Sequence, residues 1–120
     1  DRAGEDTVKR RLRERLSSTK QALVLIGEYT KNLFRFVRWE METCQKLEIP
    51  IIAVNLNGKR TQDNDLCPPV IRNTYVVHVP FKMKIIQYAL DSFPDEYLRR
   101  KPQDSVPRYY KDSVYTKLGL

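Results

Sequence analysis

A chain of 120 residues that is 41% apolar, 31% charged and 10% aromatic is at most one ordinary globular domain. It is too short for an eightfold α/β barrel or a long repeat array, and too rich in aliphatic and aromatic residues to be wholly disordered. The formal charge of +7 favours anionic partners such as nucleic acid, anionic lipid or a phosphate-bearing metabolite. However, the clusters Arg10, Arg11, Arg13, Arg15 and Arg99, Arg100, Lys101 read as solvated helix faces.

Residues 6–20 form the first predicted helix, with Asp6 or Thr7 as cap and Val8, Leu12, Leu16 and Thr19 on one stripe. Ala22, Leu23, Val24, Leu25 and Ile26, closed by Gly27, make a short apolar run of the kind buried on both faces of a parallel sheet. Residues 31–48 carry a second helix, with Leu33, Val37, Met41 and Cys44 aligned and Pro50 as its stop. A second buried-type strand covers 51–56. A polar loop with Pro68 and Pro69 fills 58–73, and a third strand covers 75–79. The last clear helix runs over 81–93 and is expected to end at Pro94. This divides the chain into an α/β domain over 1–93 and a Pro- and Tyr-rich appendage over 94–120, with one short helix near 108–117.

Strands alternating with helices imply an α/β fold with a parallel sheet flanked by helices. An open doubly wound sheet commonly has about five strands. Three are visible, and the chain starts at Asp1, without Met or a secretory leader. The expectation is a piece lacking the first two strands of the sheet.

Ligands of such sheets bind at the carboxyl ends of strands. Here those ends hold Gly27, Glu28, Tyr29 and Thr30, then Asn55, Asn57 and Lys59, then Pro80, Phe81 and Lys82. Residues 57–61, Asn-Gly-Lys-Arg-Thr, lack the upstream glycine of a phosphate loop, and no dinucleotide-binding glycine motif occurs. Cys44 and Cys67 are too far apart and too few for a zinc site, so no metal is expected, and two free thiols suit a reducing cytoplasm. His78, the only histidine, falls inside a strand and reads as a hydrogen-bonded core residue. Glu40 stands out. It borders the Val37, Met41, Cys44 stripe beside the only tryptophan, Trp39, and a carboxylate there bears a desolvation cost unless it is paired or used. Pairing with a nearby Arg or Lys is the alternative to use.

Residues 23–27 (Leu-Val-Leu-Ile-Gly), Thr30, residues 36–41 (Phe-Val-Arg-Trp-Glu-Met) and residues 51–55 (Ile-Ile-Ala-Val-Asn) together resemble the TIR-like family of bacterial Thoeris antiphage defence. Cys67, Pro68, Pro69 and residues 81–86 are also similar to its shorter members. Phe36 stands where the family has a tryptophan. The resemblance covers roughly residues 6–93. It implies a flavodoxin-like, TIR-like fold and an enzyme that consumes NAD as substrate, with no separate cofactor. It also implies Glu40 as the catalytic carboxylate on the nicotinamide-side ribose, Thr30 near the cleft, and Trp39 as a substrate-side or helix-orienting residue. The implied product is an ADP-ribose-derived signal for a separate effector, made by a cytoplasmic homo-oligomer. A piece without the first strands would itself be inactive. The alternative is a non-enzymatic TIR-like or receiver-like interaction module. A nucleic-acid binder has only the net charge in its favour.

Overall fold

The structure is a computed structural model that describes residues 2–16, 20–28, 34–100 and 106–120. Thr19, Thr30 and Leu33 lie outside the described residues. Among the described residues the elements are α1 (Arg2–Leu16), β1 (Ala22–Ile26), α2 (Phe34–Lys46), β2 (Ile51–Asn55), β3 (Val77–Pro80), α3 (Met83–Arg100) and α4 (Asp112–Lys117), with a 3-10 turn at Pro69–Ile71. Helix α1 begins ahead of the expected caps, so Asp6 and Thr7 sit inside it and Glu5 supplies the first-turn carboxylate that suits a helix start.

All three strands are parallel, in the order β1-β2-β3. Val24 pairs with Ala53, Leu25 with Val54, Ala53 with His78 and Val54 with Val79. Helices from both sides cover the central strand, and every residue of β2 is buried. On one face Val24, Ile26, Ile51 and Ala53 pack against Met41 and Cys44 of α2, with Cys67, Ile71 and Val76 beside them. On the other, Ile52, Val54, Val77 and Val79 pack against Ile85, Ile86, Ala89 and Phe93 of α3. The chain is therefore α/β with a flanked parallel sheet, as its alternating pattern requires.

Three local expectations change. First, β1 is buried on one face only. Val24 and Ile26 are covered, but Leu23 and Leu25 are 40% and 47% exposed, because α3 lies over β2 and β3 and leaves the edge column bare. Second, α2 ends before Pro50 acts. The Glu48 amide donates to the Gln45 carbonyl and the Ile49 amide to the Cys44 carbonyl, with Glu48 at φ 56°. This is a Schellman arrangement with a glutamate at the left-handed position.

Third, α3 runs through Pro94 to Arg100. A proline inside a helix removes one hydrogen bond and costs about 3 kcal/mol. The apolar face continues past it: Phe93 is fully buried, and Tyr97 stacks on Tyr75 at 6.0 Å and meets Phe93 at the same distance. That burial outweighs the lost bond. The segment after α3 is also built into the molecule. Arg108 bridges Val77 on the outer side of β3, and Tyr110 and Tyr115 join the α3-side core.

Candidate functional site

Helix α2 leaves the carboxyl end of β1 and returns to the amino end of β2, so its first turns stand over the end of the sheet where ligands are expected. Val37, Met41 and Cys44 form its inward stripe. At about 3.6 residues per turn, Arg38, Glu42 and Gln45 fall on one flank of that stripe and Glu40 on the other. The first flank is anchored. Gln45 Nε2 donates to the Val70 carbonyl at 3.0 Å, and Arg38 Nε donates to Glu42 Oε1 at 2.7 Å. These residues border a cavity of about 360 Å³ lined by Arg38, Glu42, Pro68, Pro69 and Val70.

Glu40 is half-buried, and no described residue gives its carboxylate a hydrogen bond or an ion pair. The nearby Arg38 is taken by Glu42. Burial pushes the Cys44 thiol up to about 11, and the Glu40 charge one turn earlier adds to that rise. Trp39 turns away from the sheet. Its ring lies under the Lys9 ammonium of α1, 4.8 Å from the centroid, and its carbonyl accepts from Thr43 Oγ1. The structure thus carries Glu40 and Trp39 on neighbouring faces of one helix, while Thr30 lies outside the described residues.

The other strand ends are tightly built. Asn55 is fully buried, and its Nδ2 donates to the carbonyls of Lys59 at 2.9 Å and Thr61 at 2.8 Å. Asp63, also buried, accepts from the amides of Asp65 and Leu66 and from Asn57 Nδ2, with Lys59 Nζ at 3.3 Å. The Leu66 amide bond is the main reason its carboxyl falls to about 2. Lys59 is thus tied to Asp63, and Arg60 lies over the Tyr115 ring at 3.9 Å. Neither is arranged as a phosphate cradle.

His78 is fully buried, and among the described residues neither ring nitrogen has a partner, unlike the hydrogen-bonded core histidine expected. Burial alone holds it down at about 4. Gln62 and Asp63, which hold the 57–74 segment together, gave no sequence signal. Their roles depend on contacts with Asn73 and Asn57 that no short spacing rule encodes.

Among the described residues no group of three or more His, Cys, Asp or Glu side chains could hold a metal, and no helix is long and apolar enough to cross a membrane. Both cysteines are free and buried.

The family model of the Thoeris protein ThsB TIR-like domain matches residues 1–61. The chain belongs to this family. The match spans β1, α2 and β2 and includes Thr30, Trp39 and Glu40. The later segments around Cys67 and Phe81 lie beyond it. The family gives the chain a TIR-like role in defence, and the sheet-and-helix architecture agrees with a flavodoxin-like TIR fold. Among curated proteins none matches the sequence.

Proposed function

We propose that this ThsB-family chain belongs to an NAD-consuming enzyme of antiphage defence, with Glu40 as the catalytic carboxylate. The observation that carries this reading is the state of Glu40: half-buried beside an apolar stripe, unpaired among the described residues, with Arg38 engaged elsewhere. A carboxylate that no described residue engages is available to a ligand. In NAD cleavage the bond between ribose C1′ and the nicotinamide nitrogen breaks, and nicotinamide leaves with the bonding pair. Positive charge develops on the ribose, and a nearby carboxylate stabilises it. Water, or a nucleophile within the same molecule, then bonds to C1′ and gives up a proton, leaving an ADP-ribose species. The product acts as the signal to a separate effector, and the working state is a homo-oligomer. The test is nicotinamide release from NAD by the complete protein, alone and in infected cells. Glu40→Ala and Glu40→Gln should reduce it at least a hundredfold. Wild-type protein that stays inert under every condition removes the enzyme from consideration.

One observation favours a second reading, an interaction module. The register places Leu23 and Leu25 on one sheet face, 40% and 47% exposed, and Leu56 and Phe81, just past the ends of β2 and β3, are each 52% exposed. If that surface is the function, Leu25→Asp abolishes assembly and Glu40→Ala leaves it intact.

A further inference from the structure

His78 sits in β3 with Ala53 beside it in register, and Asn55 and Pro80 follow on the same face. The third neighbour is the chain's own carboxyl-terminal segment. The His78 amide donates to the Arg108 carbonyl at 3.0 Å, and the Arg108 amide donates to the Val76 carbonyl at 2.9 Å. The next residue, Tyr109, places its ring 5.9 Å from the imidazole. Among the described residues neither ring nitrogen of His78 has a hydrogen-bond partner, nor has Oδ1 of Asn55 on the same face, and His78 lies beside a segment joined to β3 at one isolated bridge. We propose that His78 is a proton-operated latch: the neutral imidazole holds the 106–110 segment against β3, and protonation releases that segment.

The charge environment makes the latch one-sided. β2 presents no titratable group beside His78. On the terminal segment Tyr109 offers its ring, and Arg108 is held by Glu96 through Nε at 2.9 Å and Nη2 at 3.1 Å. In the 57–74 segment Asp63 and Lys59 bind each other, Arg60 faces Tyr115 and Asp112, and the Cys67 thiol is pushed up to about 11 by burial. Among the described residues no carboxylate is placed to receive a protonated imidazole, which on this arrangement reaches water. Lifting Tyr109, already 37% exposed, is the shortest way.

The folded histidine is held at about 4 against an ordinary value near 6.5. The opened form therefore binds the proton more readily, closure is fully favoured above about pH 6.5, and it weakens as pH falls towards 4. At pH 5 opening should be about 30-fold more populated than at pH 7.5. Against the opposing effect of burial, the Arg108 guanidinium and the Tyr75 hydroxyl hold the Glu96 carboxyl below its usual range.

The test is amide hydrogen exchange by NMR at pH 7.5 and 5, corrected for intrinsic rates. Protection of the Arg108 and His78 amides should fall about 30-fold at pH 5 while that of Ala53 holds, and His78→Phe should remove the fall. Unchanged protection, an equal fall in His78→Phe, or a parallel loss at Ala53 overturns the latch. If His78→Phe does not fold, Tyr109→Ala decides. The His78 titration should then move from about 4 towards 6.5, and a titration left at about 4 rejects the mechanism.

Discussion

Arg38 donates to Glu42 across one turn of α2 at 2.7 Å, on the flank of the helix opposite Glu40. Because Arg38 is 60% exposed, the bond itself adds little to stability, and Arg38→Ala should cost less than about 1 kcal/mol by denaturant titration. Glu40→Ala should be equally mild or slightly stabilising, since it removes a half-buried charge without leaving a partner behind. It should also lower the Cys44 titration, because Glu40 is one of the two causes that raise it. A loss of more than about 2 kcal/mol on Glu40→Ala would show a structural partner and weaken the catalytic reading.

The end of α2 makes a separate prediction. Glu48 holds φ 56°, where an L-residue is strained and glycine is not. The two bonds around it, from the Glu48 and Ile49 amides, need only the backbone. Glu48→Gly should therefore stabilise the protein by about 1 kcal/mol, and Glu48→Val should destabilise it by more than that. Thermal unfolding of the two variants reads the difference.

Much of the fold was legible because period and punctuation agree. The apolar runs at 22–26 and 51–55 are strands, and the Val37, Met41, Cys44 stripe is the inward face of a helix. What could not be read depends on contacts distant in sequence. Pro94 stops a helix when local bonding decides, but here Tyr97 stacks on Tyr75 from the loop before β3. Continuous apolarity in β1 says nothing of whether a helix lies over Leu23 and Leu25. In the candidate site, Glu40 was conspicuous by its position beside the stripe. That Arg38 takes Glu42 was not legible, since it depends on which carboxylate the guanidinium reaches. His78 was placed correctly in the core, but that no described residue bonds its nitrogens is a matter of geometry.

Asp63 should make the 57–74 segment acid-sensitive. Its carboxyl is lowered from an ordinary 3.8 to about 2, chiefly by the Leu66 amide, against the opposing effect of burial. A depressed carboxyl contributes stability that is complete above about pH 4 and is lost as pH falls towards 2. Asp63→Ala should cost about 1–2 kcal/mol at neutral pH, as loss of a capping carboxylate does, and should flatten that acid limb. Denaturant midpoints from pH 5 to 2 test both. An acid limb of unchanged steepness in Asp63→Ala would assign it to another group.

The clasp between α3 and the carboxyl-terminal segment should be strongly coupled. Glu96 accepts from Arg108 through both oxygens and from the Tyr75 hydroxyl, and the side chains of Glu96 and Arg108 are 17% and 33% exposed. Removing either partner strands the other in a partly desolvated place, whereas removing both does not. Glu96→Ala and Arg108→Ala should each cost about 2–3 kcal/mol, and the double variant should cost clearly less than their sum. The two single variants differ in a second way. Arg108→Ala keeps the backbone bonds to Val76 and His78, and Glu96→Ala also loses the tie to Tyr75, which positions the Phe93 and Tyr97 rings. Glu96→Ala should therefore disturb the helix beyond Pro94 as well, seen as faster exchange of amides near Tyr97, while Arg108→Ala should leave those amides protected. Strict additivity in the cycle would mean that the Glu96 and Arg108 side chains act independently.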